Sequence, residues 1–173
     1  PFEAHKALWD TLDVGYFMRH DAGEVAWHTR HVSRHLAGLD GSDVKADSPL
    51  VRTRLSPVGE GLQVMVYTPD QPDLFARICG YFDQAGFSIL DARIHTTRDQ
   101  RALDTFQVVA SQRVWPDSRP GEPDIQYRDL ISLVETQAAI ALASDGPLPE
   151  PRSGRVSRRV RSFPVTPRVS LAP

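Results

Sequence analysis

From Leu62 the polar and apolar positions alternate. Leu62, Val64 and Val66 stand on one side, and Gln63, Met65 and Tyr67 on the other. That period of two predicts a strand buried on at least one face. The corner "PDQPD" stops it, and Pro72 suits the first turn of a helix, where its missing N–H costs nothing. Leu74, Phe75, Ile78, Cys79, Phe82 and Ala85 then share one helical face, and Gly86 supplies the stop. "FSILDARIHTTR" predicts a long second strand whose apolar phase shifts between Ile89 and Leu90, the mark of a bulge. "RDQRA" turns the chain into "ALDTFQVVA", a third strand. A helix follows from about Asp124 to Ala143, with its stripe at Tyr127, Leu130, Ile131, Val134, Ala138 and Ala141. After a Pro-rich break, "RVSRRVRSFPV" predicts a final strand.

The order from Leu62 is β-α-β-β-α-β. With right-handed connections it closes into a ferredoxin-like α+β domain, an antiparallel four-stranded sheet with two helices on one face. Upstream, Leu8, Leu12, Tyr16 and Phe17 make one apolar stripe, and Val25, Val32 and Leu36 a second. Asp21 is placed as an N-cap, with Glu24 three residues on. The expected organisation is a helical connector over residues 1–37, a linker over 38–60 holding one short strand near Leu50 to Leu55, the compact domain over 61–165, and a lead into further structure over 166–173.

Composition narrows the function classes. Hydrophobic residues make up 40% and charged residues 24% of the 173 positions, and the net charge is −2. That balance gives no general attraction to nucleic acid or to an anionic membrane. No apolar run approaches a membrane span, and "PFEAHKALWD" lacks the layout of a signal peptide. Cys79 is the single cysteine, which rules out an internal disulfide and fits a reducing cytoplasm. A start at Pro1 and an end in "VSLAP" read as a piece of something longer.

"DQPDLFA", "SILDARIHTTRD" and "ALDTFQV" resemble an ACT domain, the small regulatory module of many enzymes of amino-acid metabolism. More closely, they resemble the first of two ACT repeats in the bifunctional PII uridylyltransferase/uridylyl-removing enzymes. "YFMRHDAGEVAWHTRH" is similar to the segment before that repeat, and "FPVTPRVSLAP" to the approach to the second. The resemblance implies a parent enzyme that attaches UMP from UTP to the PII signalling protein, removes it again, uses a divalent metal such as Mg, and responds to glutamine. It implies that this stretch senses or couples and carries neither catalytic residues nor a cofactor of its own. It further implies a homodimer through ACT pairing. The alternative is an interaction module without a small-molecule ligand, packing on the second repeat or docking PII.

By the same resemblance the ligand corner is Asp70, Gln71, Pro72, Asp73 and Leu74, with Ser88 and Ile89 on the facing strand. Asp73 stands where a typical ACT module has glycine. Asp70 suits an ammonium group, and Ser88 a hydrogen bond beside it. The plain counter-reading is that Asp70 and Asp73 only cap the helix, favoured by its dipole.

Other constellations receive bland readings. His28, His31 and His35 share a helix face at metal-ligand spacing, with Asp21 or Glu24 as a further ligand, yet Arg30 and Arg34 beside them indicate a solvated basic face. Arg152, Arg155, Arg158, Arg159, Arg161 and Arg168 form a basic cluster without interleaved aromatics, which fits a charged edge strand better than nucleic acid. Cys79 reads as core packing, and His95 and Asp104 as a pair across the hairpin.

Overall fold

The computed structural model describes residues 2–38, 47–110 and 123–150. Three helices come first: α1 (Phe2–Trp9), α2 (Val14–Arg19) and α3 (Ala22–Leu36). The aspartates set their starts. The Tyr16 N–H donates to the Asp13 carboxylate at 2.9 Å, and the Glu24 N–H to that of Asp21 at 2.8 Å. The expected cap at Asp21 is therefore present. Leu8, Leu12, Tyr16 and Val32 are buried, while Phe17 and Leu36, assigned to the same stripes, face out.

Four strands follow: β1 (Leu50–Leu55), β2 (Leu62–Pro69), β3 (Phe87–Arg93) and β4 (Arg101–Ala110). Helix α4 (Leu74–Ala85) links β2 to β3, and α5 (Pro123–Ala143) follows β4. The sheet order is β1-β2-β4-β3, antiparallel throughout. The fold class is α+β, as the periodicity predicts. The strand beside β2 is β1, the short strand assigned to the linker, in register from Leu50 opposite Tyr67 to Leu55 opposite Leu62. The predicted closing strand, near residues 155–165, lies outside the described residues. A hairpin partner six residues away closes a far shorter loop than a strand some ninety residues downstream, and so costs less chain entropy.

The local signals hold. Gly86 ends α4 in the left-handed region at φ 81°. The register of β3 slips between Ile89 and Asp91, which makes Leu90 the extra, exposed residue. The strand stops at Arg93, short of the expected Arg98, and only Thr96 rejoins the ladder, opposite Ala102.

Both sheet faces are covered. On one, Val64, Val66, Phe106 and Val108 pack against Ile78 and Phe82 of α4 and Val134, Ala138 and Leu142 of α5. On the other, Met65, Tyr67 and Leu103 pack against Leu8, Leu12, Tyr16 and Val32. Residues 1–37 thus form a third layer on the sheet. This explains why β2 is buried at every position from Leu62 to Thr68. Each such apolar side chain contributes roughly 1.5–3 kcal/mol. The outer edge of β1 is tied down as well, where the Thr53 N–H donates to Glu135 of α5 at 2.8 Å. Among the described residues, no helix is long and apolar enough to cross a membrane.

Candidate functional site

The corner between β2 and α4 is held by its backbone. The Asp70 N–H donates to the Gln100 carbonyl at 3.0 Å, Leu74 N–H to Gln71 at 3.1 Å, and Arg77 N–H to Asp73 at 2.9 Å. The Asp73 carboxylate makes no cap hydrogen bond, so this aspartate is not the side-chain cap that the plain reading makes of it. Its backbone, at φ −101° and ψ 11°, is not the extended form of an N-cap whose side chain turns back on the helix.

Behind the corner lies a cavity of about 370 Å³. Asp70, Gln71, Pro72 and Leu74 line one side, and Phe75, Ile94 and Ala102 add apolar surface. Thr96 and Asp104 supply the polar groups opposite. Asp73 does not line it. Ser88 and Ile89 do not reach it either: they pair with Val109 and Val108, whereas the cavity lies at the Ala102–Asp104 end of β4. The resemblance thus names four residues that the cavity brings together and three that it leaves out.

Asp104 is the unusual group. It points to the α4–α5 side between Ala102 and Phe106 and is only 1% exposed. Its carboxylate accepts the His95 N–H at 3.2 Å, so the expected His95–Asp104 pair forms through the His95 backbone. Burial pushes the Asp104 carboxyl up to about 7, the His95 N–H opposes this, and the charge of Asp70 adds to it. A carboxyl poised near neutrality in a cleft, facing a second carboxylate, is suited to receive a cation or an ammonium group. The sequence carries one signal for it: an acid at a core-facing position of an alternating strand. A larger hollow of about 560 Å³, near Leu55, Gly61, Val109 and Tyr127, contains no buried ionisable side chain among its lining residues.

A second polar cluster joins α3 to the sheet. His28 is fully buried, with Tyr16 Oη 2.7 Å from Nδ1 and Thr105 Oγ1 3.0 Å from Nε2. Glu24 accepts from Gln63 at 2.8 Å through Oε1 and from Arg93 at 2.6 Å through Oε2. Burial pushes the Glu24 carboxyl up, but the neighbouring His20 and Arg93 outweigh it and bring it down to about 2. Burial, reinforced by His20, lowers His28 to about 3. His28 and His35 are therefore buried rather than solvated as expected, because α3 is needed to cover the sheet.

His20, Glu24 and His28 place potential ligand atoms within 4.8 Å of one another. Protein partners already hold both ring nitrogens of His28 and both oxygens of Glu24, and Arg93 supplies the cation. One carboxylate between two imidazoles also does not suit Mg²⁺, which prefers an oxygen shell. The cluster fits a fastening between layers rather than a metal centre.

Comparison with known proteins adds a second line of observation. The family model described as "Uridylyltransferase GlnD fifth domain" matches residues 1–31. Proteins named bifunctional uridylyltransferase/uridylyl-removing enzyme from Burkholderia thailandensis (strain E264), Burkholderia mallei (strain SAVP1) and Burkholderia pseudomallei (strain 668) are each 54% identical over 171 residues. The chain is similar to the C-terminal part of these enzymes. The alignments cover 99% of this chain and 18% of each relative, so the chain spans less than a fifth of the length of the relatives it matches. No solved structure matches it.

Proposed function

We propose that the chain is the regulatory, ACT-type segment of an enzyme that uridylylates and deuridylylates the PII protein, and that it senses glutamine. UTP and a divalent metal such as Mg serve catalytic parts of that enzyme outside this chain, and the setting is cytoplasmic. The observation that carries this reading is the buried Asp104 carboxylate facing Asp70 across a cavity at the start of α4. An α-ammonium group between them would offset the burial that raises Asp104 and the smaller repulsion from Asp70. The positive end of α4 suits the α-carboxylate, and Gln71 and Thr96 are placed to hydrogen-bond a side-chain amide.

Coupling follows from the strand alternation. Asp104 faces the cavity, and the next residue, Thr105, holds His28 of α3. Ile94 lines the cavity, and the residue before it, Arg93, holds Glu24 of α3. A ligand that shifts β4 or the end of β3 thereby acts on the layer formed by residues 1–37. It changes activity only by its difference in affinity between the two arrangements.

A second reading is an interaction module that binds no small molecule. The exposed edge of β3, with Leu90 62% accessible and Asp91 beside it, favours this as a surface for the second repeat, for PII or for another copy in a homodimer. Calorimetric titration with glutamine separates the two. Saturable heat that disappears in both Asp104→Asn and Asp70→Ala supports sensing in this cavity. Absence of heat at millimolar glutamine supports the interaction module.

A further inference from the structure

Away from the cavity, on the sheet face covered by α3, four basic side chains converge. Arg30, His31 and Arg34 occupy positions i, i+1 and i+4 of α3, and Arg52 rises from β1 beside them. Together they are the described residues that line a cleft of about 180 Å³.

Several other arginines of the described residues have partners, and so has Arg34 itself. Arg93 pairs with Glu24, Arg101 with Asp47, and Arg54 donates to Gln63 while lying 4.2 Å from the centre of the Trp27 ring. Arg30 and Arg52 are in no ion pair among the described residues. The single hydrogen bond of the Arg52 guanidinium goes to the carbonyl of its neighbour Val51, at 2.9 Å. Glu135 feels the charge of Arg52, but its Oε1 already accepts the Thr53 N–H. The helix dipole does not account for the grouping either. Arg30 stands more than a turn before the end of α3, beyond the reach of that effect, and Arg52 is on a strand.

We propose that Arg30, His31, Arg34 and Arg52 form a binding site for an oxyanion the size of a phosphate group, either free or as the terminal group of a nucleotide. Guanidinium groups offer paired N–H donors that match phosphate oxygens, and two or more around one cleft hold the anion from several sides. The half-buried His31 completes the ring. Burial lowers its pKa, and Arg52, Arg30, Arg34 and Arg54 lower it further. An anion in the cleft would reverse that field and let His31 protonate. This site is independent of the glutamine cavity.

The test is calorimetry on the whole chain, in low-salt buffer, with inorganic phosphate, pyrophosphate and a metal-free nucleoside triphosphate, against chloride at matched ionic strength. Saturable binding is expected, weakened at least tenfold in Arg52→Gln and in Arg30→Gln. Arg30 is exposed, so its replacement leaves the fold intact and keeps the test valid if Arg52→Gln is unstable. Tighter binding of the triphosphate identifies a nucleotide, and equal affinity identifies the free ion. The His31 imidazole, followed by NMR, should titrate at higher pH when phosphate is present. The proposal is overturned if no anion exceeds chloride, or if Arg30→Gln and Arg52→Gln bind as tightly as the parent chain.

Discussion

At the scale of single residues, Asp104 makes the sharpest statement. Its carboxyl is raised from 3.8 to about 7 in the folded chain. Between those values the folded state holds more protons than the unfolded one, so its contribution to stability falls as pH rises. Asp104→Asn keeps an acceptor for the His95 N–H and removes the buried charge. Its advantage in urea denaturation should be largest near pH 8, up to about 4 kcal/mol at 1.36 kcal/mol per pKa unit. It should vanish only below the unfolded value of 3.8. A variant less stable than the parent at pH 8 would contradict the burial of an ionised carboxylate. Glutamine affinity, on the proposed reading, should rise from pH 6 to pH 8 as Asp104 ionises, and isothermal titration at those two values reads this directly.

At the scale of elements, the attachment of α3 to the sheet is polar where a core would ordinarily be apolar. Glu24→Gln removes the buried one of the two carboxylates paired with Arg93, Asp91 being the other, and the loss of that charge-assisted hydrogen bond should cost about 1.5–3 kcal/mol. Guanidinium denaturation should show the loss. The same layer sets the acid response. His28 is depressed to about 3, so its stabilisation is complete above its ordinary value near 6.5 and is lost as pH falls. Glu24, held near 2, loses its share below 4.5. Trp27 beside His28 should report the release of α3 as pH is lowered from 6 to 3, and a flat fluorescence trace would refute the fastening. Within the sheet, Phe106→Ala empties the centre of the α4–α5 side and should cost about 3–5 kcal/mol in the same denaturation assay.

For the whole molecule, three layers share one sheet. Removing residues 1–37 uncovers Met65, Tyr67 and Leu103, an apolar face that water does not tolerate. The shortened chain should self-associate in sedimentation or light scattering, while the complete chain at the same concentration should associate less. A shortened chain that stays monomeric, with a native near-UV spectrum, would mean that the first layer is dispensable to the sheet. Because both the cavity and the α3 fastening draw on β4 and the end of β3, any ligand response should reach residues 1–37 before it reaches β1.

What the residues settled alone was local. Alternation over Leu62 to Tyr67, the stripe of α4 apart from the exposed Phe75, the caps at Asp21 and Gly86 and the slip after Ile89 depend on neighbours a few positions apart, and such signals survive in a linear sequence. The motifs carrying the likeness to uridylyltransferase relatives were legible for the same reason. The tertiary structure decided the rest. It chose β1 for the sheet edge, laid α1 to α3 over the second face, buried His28 and sank Asp104 into the cavity wall. Those outcomes turn on which distant surfaces meet and exclude water. A carboxylate at a strand position becomes a poised group only when the opposite wall is in place.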